Sequence, residues 1–306
     1  MSTKMRPKVI LLIRVILMVM ALFSIFLSVF FTASCSRLNP QGEGPGALII
    51  DTLSREAFPS IELVPSEADR IAFIEDYWRW IFGEAGLPEE LARRVAVLTL
   101  DNPSFLMELL TLLAQDPYTY RLVDKQNHLP LTYEPDDLVP LRAQYFRLNR
   151  GDLELRAGAA QALEEMAQAA AAQGISFVIG SAYRSGERQA EVYQNWVRTL
   201  GRAEADRVSA QPGASQHQLG TVVDFFPIDD TFALTPASDW LKAHASRFGW
   251  SLSYPEGYEE VTGYRWESWH YRYVGPDLSA FIDTYFDGVQ QYALQFIQAW
   301  MTQAGE

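Results

Sequence analysis

Asp224 stands inside an apolar run, Val222-Val223-Asp224-Phe225-Phe226. A carboxylate in such a strand needs a cation, a metal or several hydrogen bonds to offset its desolvation. Alone, it could be a salt-bridge partner or a strand-end turn residue. Seven residues earlier His217 lies in Ser215-Gln216-His217-Gln218-Leu219-Gly220. An odd separation puts two side chains on opposite faces of a straight strand, so a turn must intervene, and Gly220 can supply one. A third run, Trp266-Glu267-Ser268-Trp269-His270-Tyr271-Arg272-Tyr273, places His270 three residues after Glu267. Two imidazoles and one carboxylate suit a borderline metal, zinc first. With the fourth position left to water the site is catalytic, and Glu267 is placed to take that water's proton. A lone histidine among aromatics is more often a packed core residue. The chain has only four, His128, His217, His244 and His270, and two of them fall beside suitable carboxylates. Arg184 follows the apolar run that ends at Ala182. A guanidinium fixed there could stabilise an oxyanion, although a structural arginine is the commoner case.

These residues need elements to hold them. Ile175 to Ala182 predicts a buried strand, and Ser185 caps a helix running to about Leu200. Ala210 to Gly220 predicts a loop and Thr221 to Phe226 a second strand. Before them, Arg156 to Gln173 is an alanine-rich helix ended by Gly174, and Leu122 to Leu141 is rich in Pro and Asp and irregular. After them, Asp239 to Phe248 predicts a helix, 250–274 strand pairs, and Asp277 to Met301 one final helix. Three more helices precede Tyr120. Ser66 caps the first, with Ile71, Ile74, Trp78 and Ile81 at helical spacing. Pro88 starts the second, with Leu91, Val95 and Leu98, and Asn102-Pro103 opens the third. Strands and helices do not alternate strictly, so the expected class is α+β.

The chain has 306 residues and a net charge of −13. Acidity of that size argues against nucleic acid, whose backbone calls for clustered positive charge. One cysteine, Cys35, excludes an intrachain disulfide. Lys4, Arg6 and Lys8 precede an apolar run from Val9 to Phe31, and Thr32-Ala33-Ser34-Cys35 follows. Small residues before the single cysteine resemble a bacterial lipoprotein cleavage site, with Cys35 as the lipidated residue. An uncleaved N-terminal anchor is the alternative. Either puts the remaining chain outside the cytoplasm, held to the membrane by lipid or anchor. Removing residues 1–34 takes away four basic groups and no acid, leaving −17. Asn39 to Gly46 is a Gly/Pro-rich spacer.

The runs SAYRSGERQAEVY, PGASQHQLGTVVDF and WESWHYRYVG together resemble the three signatures of the VanY-type zinc D-alanyl-D-alanine carboxypeptidases. That family also includes L,D-carboxypeptidases and relatives of the D,D-dipeptidases. LVDKQNHLPLTYEPDDL resembles the segment that opens the domain, so the likeness spans about residues 120–276. The resemblance implies a small antiparallel sheet flanked by helices, with zinc in an open cleft. It implies one zinc per chain on His217, Asp224 and His270, Glu267 as general base and Arg184 as polariser of the scissile carbonyl. Gln189 and Ser215 fall on positions that resemble substrate contacts. His128 and His244 match no ligand position and are expected to be structural.

The organisation expected is therefore a signal or anchor over 1–35, a linker over 36–62 and a helical extension over 63–119. The zinc carboxypeptidase domain follows over 120–276, and a C-terminal helix over 277–306. The implied function is removal of the terminal D-alanine from peptidoglycan stem peptides, with D,D- or L,D-specificity open. The alternative is a non-catalytic wall-binding lipoprotein that keeps the pocket, against which Glu267 argues, since binding needs no base.

Overall fold

The computed structural model describes residues 67–304. The expected signal segment, Cys35, the linker and Ser66 lie outside the described residues. The chain divides into two compact units, residues 1–76 with Glu306 and residues 77–305. Of the first, only the start of helix α1 (Glu67–Ala85) is described. Everything below concerns the second.

Helices α2 (Glu89–Asp101) and α3 (Pro103–Leu113) meet at Asn102. Its side chain accepts the backbone N–H groups of Ser104 and Phe105, and Pro103 occupies the first turn, where no donor is needed. Pro88 sits one residue outside α2, at its N-cap. Two short strands, β1 (Leu138–Pro140) and β3 (Glu154–Arg156), pair as an antiparallel ribbon. The main sheet has five strands in the order β2-β4-β5-β7-β6. These are β2 (Phe146–Leu148), β4 (Phe177–Ser181), β5 (Val222–Phe225), β6 (Trp250–Leu252) and β7 (His270–Tyr273). The class is α+β as expected, but the sheet is not wholly antiparallel, since β2 runs parallel to β4. The helix α4 (Ala157–Ala171) makes that connection possible, because a parallel return needs a crossover.

Alternation along the strands separates core from site. Val223, Phe225 and Tyr271 enter the hydrophobic core with Phe177 and Ile179, and α4 contributes Leu163, Met166 and Ala170. The helix α7 (Pro236–His244) covers the same face with Trp240 and Leu241. Asp224 and His270 lie one residue out of phase with Val223 and Tyr271, so they point to the other face.

Two expected helix boundaries are corrected. α7 starts three residues before Asp239, because the Thr235 hydroxyl caps it at Ser238 and Pro236 fits the first turn; it ends at His244 and hands over to a 3-10 turn, Ala245–Phe248. The expected helix from Asp277 to Met301 is two helices, α9 (Pro276–Tyr285) and α10 (Gln290–Ala304). Asp287 and Gly288 between them have positive φ, 57° and 73°, which no right-handed helix admits.

Candidate metal centre

β5 and β7 set the first pair of groups. In their antiparallel register Asp224 lies directly opposite His270, where neighbouring Cα atoms on one face come close. His270 Nδ1 is 3.1 Å from Asp224 Oδ1. A 3-10 turn, Gln216–Leu219, brings in His217, and Gly220 ends it in the left-handed conformation at φ 72°. This is the turn that the seven-residue spacing requires. His217 Nε2 is 3.1 Å from Asp224 Oδ2. Its other nitrogen, Nδ1, donates to the Ala182 carbonyl at 2.7 Å. A carbonyl only accepts, so the lone pair of His217 is on Nε2, facing Asp224.

One ligand atom from each of His217, Asp224 and His270 can be chosen so that all lie within 4.8 Å of one another, and all three residues are buried. Asp224 Oδ1 accepts no well-aligned hydrogen bond although it is buried. An orphaned carboxylate oxygen between two imidazoles fits a cation held in common, and the N,N,O donor set suits zinc.

The charges at the site are strongly perturbed. Burial would raise the Asp224 carboxyl, but His217 and His270 outweigh it and hold it well below the usual carboxylate range. Burial carries His217 down to about 4 against the pull of Asp224, which keeps the ring neutral. Burial would lower His270, but the adjoining Asp224 and Glu267 carboxylates outweigh it and push the imidazole up to about 9. Without a metal, a proton on Nδ1 thus stands between the carboxylates, and a metal would displace it.

Glu267 Oε2 lies 3.4 Å from His270 Nδ1, with the side chain 13% exposed. Burial raises its carboxyl, with His270 opposing. Arg184 follows β4 and is anchored through its backbone N–H to the His217 carbonyl at 3.2 Å. Its guanidinium donates to Ser181 Oγ at 2.9 Å and comes within 3.9 Å of Asp224 Oδ2. Burial draws Arg184 below its ordinary value, and the Asp224 and Glu267 carboxylates oppose that.

Gln189, one turn into helix α5 (Gly186–Leu200), is 1% exposed. Its Oε1 accepts from Arg184 Nη1 at 2.8 Å, and its Nε2 donates to the Ala210 carbonyl at 2.6 Å. Both ends of the amide are engaged, holding Arg184 and the 209–210 loop. Ser215 is buried at the start of the turn, two residues before His217. His128 is exposed and bonds the Lys125 carbonyl, while His244 packs on Trp240, so neither joins the cluster.

Residues 152–276 match the model of the VanY family, D-alanyl-D-alanine carboxypeptidase. The LdcB LD-carboxypeptidase structure is 33% identical, with a TM-score of 0.51 over 57% of this chain and 89% of its own. The chain belongs to the VanY family. YodJ of Bacillus subtilis strain 168, a carboxypeptidase by name, is 34% identical over 184 residues, 56% of this chain and 67% of its own. The VanXYg D,D-dipeptidase, solved with a D-Ala-D-Ala phosphinate analogue, is 27% identical with a TM-score of 0.51, covering 58% of this chain and 70% of its own. Like its relatives, this VanY-family chain is a metallopeptidase of the carboxypeptidase type. The family match ends at residue 276, the first residue of α9, so the rest of α9 and all of α10 lie beyond it.

Gln216, Ser253 and Tyr254 also surround His270 and were not expected from the sequence. Tyr254 packs its ring 4.7 Å from the imidazole. Nothing in a Ser-Tyr pair some 16 residues upstream of a histidine marks it as a neighbour; only the β6–β7 pairing does.

Proposed function

We propose that this chain is a zinc-dependent carboxypeptidase that removes the C-terminal D-alanine from peptidoglycan stem peptides. His217 Nε2, Asp224 and His270 Nδ1 would hold one zinc per chain. The observation that carries this reading is the convergence of three ligand atoms within 4.8 Å on one sheet face, with Glu267 beside them. Bound zinc supplies Lewis acidity and a water acidic enough to be deprotonated near neutral pH. Glu267 holds the proton at a carboxylate whose basicity burial has raised, and returns it to the leaving amine. Arg184, fixed by Ser181 and Gln189, offers its guanidinium to the developing oxyanion. Ser215 offers a hydroxyl to the substrate's terminal carboxylate. The substrate class rests on the relatives' activities and on the free carboxylate a carboxypeptidase must bind.

The test is mass spectrometry of defined peptides after incubation with purified, zinc-loaded protein. Loss of one D-alanine from acyl-D-Ala-D-Ala or acyl-L-Lys-D-Ala is expected, abolished by a chelator and restored by zinc. Equal release from acyl-L-Ala-L-Ala, or cleavage at internal bonds alone, would overturn the assignment.

The same proposal places the domain outside the cytoplasm, tethered by lipid on Cys35 through the Asn39–Gly46 spacer. Two acyl chains anchor a protein stably where one does not. Cys35→Ser should therefore abolish fatty-acid labelling in cells, and labelling that persists would rule the tether out.

A further inference from the structure

His270 has two nitrogens, and only one can face the metal. Nδ1 points to Asp224 and Glu267. Nε2 points the other way, to Gln216 Oε1 at 3.3 Å. The same amide oxygen accepts from the Ser253 hydroxyl at 2.8 Å. Beyond it, Gln290 Oε1 lies 3.5 Å from the Ser253 hydroxyl, and Gln290 Nε2 donates to the Ser251 carbonyl at 3.3 Å. Gln216, Ser253 and Gln290 are at most 3% exposed, so water does not compete for these bonds. A buried amide in a site of this kind costs free energy unless its groups are paired.

We propose that Gln216, oriented by Ser253, is a positioning residue that selects the metal-binding nitrogen of His270. The inference rests on the zinc reading above. An amide oxygen can only accept, and the Ser253 hydroxyl fixes that oxygen toward the ring. With zinc bound, His270 would then keep its one hydrogen on Nε2 and turn the Nδ1 lone pair to the metal on Asp224's side. An outer hydrogen-bond partner of this kind sets the tautomer and ring angle of a ligating histidine and raises its basicity. The two histidines are thus fixed in opposite senses, His217 through Nδ1–H on the Ala182 carbonyl and His270 through Nε2–H on Gln216. The chain of contacts ends on α10, outside the segment that matches the family model. The first residue of the last helix, Gln290, therefore holds the chain just before Ser253, by donating from Nε2 to the Ser251 carbonyl.

The experiment is zinc affinity of the full chain, read by competition with a chromophoric chelator. It is paired with the visible spectrum of the cobalt-substituted protein. Gln216→Leu keeps the volume and removes the acceptor; it should weaken zinc binding about 10- to 100-fold and change the cobalt spectrum. Gln216→Glu keeps an acceptor oxygen and should stay within about threefold of the parent. Ser253→Ala should fall between the two. A role in packing alone would leave Gln216→Leu with parental affinity, or would weaken Gln216→Glu as much; either result overturns the proposal. A parent protein that binds no zinc would instead overturn the metal reading, and this inference with it. The two failures are therefore distinguishable.

Discussion

Glu267 and Gln189 show what single residues contribute to the centre and how far their types reveal it. Glu267 touches His270 but is not in the three-residue group that could hold the metal, which fits the proposed role of proton acceptor. Glu267→Gln keeps the shape and removes the basic oxygen. It should retain bound zinc, measured by elemental analysis, while kcat falls by several orders of magnitude. Near-parental turnover would remove Glu267 from the mechanism. Gln189 is a different case, since its amide holds Arg184. Gln189→Leu should lower kcat by about tenfold, as loss of a fixed oxyanion group does in part, with zinc content and KM little changed. Were Gln189 a substrate contact, KM would rise with kcat unchanged. The cluster of His217, Asp224 and His270 was legible because a charge in an apolar strand demands an explanation. The direction of the Gln189 amide was not, because it depends on which loop folds over α5.

At the level of elements, the centre is a cross-strand pair plus one turn. The pair follows from register: one residue of slip between β5 and β7 would send His270 to the core face. The turn depends on Gly220, whose φ of 72° is costly for any residue with a Cβ. A Cβ there would also lie 3.0 Å from Leu138 Cδ2 and 3.1 Å from Pro135 Cγ, side chains that close the loop over Arg156. Gly220→Ala should destabilise the metal-free protein by about 1–2 kcal/mol. Its melting midpoint should fall by roughly 2–8 °C. Because the turn carries His217, zinc affinity should fall as well. An unchanged midpoint would show that the turn tolerates another conformation. The strands and the turn could be read from apolar runs and glycine. The parallel pairing of β2 could not, because Phe146–Leu148 is too short for a pattern and is held by its partner β4. The break at Asp287-Gly288 was hidden because apolar residues continue at helical spacing on both sides of it.

At the scale of the whole molecule, the segments on either side of the family match are not independent appendages. Phe105 of α3 is fully buried and stacks on Phe281 of α9 at 5.3 Å. It meets Tyr285 edge-on at 5.0 Å and Phe296 of α10 at 5.9 Å. Polar contacts follow the same seam: Arg94 donates to the Tyr285 carbonyl, and Gln115 to Asp277. The sequence showed helices at both ends but no signal that they share a core, because contacts between distant segments leave no periodicity of their own. The same layer supports the catalytic sheet through α10, whose Gln290 donates to the Ser251 carbonyl in β6. Phe105→Ala would leave a cavity where three aromatic partners now pack, at a cost of about 3–5 kcal/mol. The melting midpoint should fall by roughly 6–20 °C, in a single transition if the helical layer and the sheet unfold together. The aromatic partners of Phe105 include none of the residues that could hold the metal, so zinc bound at low temperature should stay near the parental amount. A shift of a degree or less would mean that the terminal helices contribute little to the stability of the catalytic body. A separate early transition that leaves the zinc-bound sheet intact would mean that they form a unit of their own.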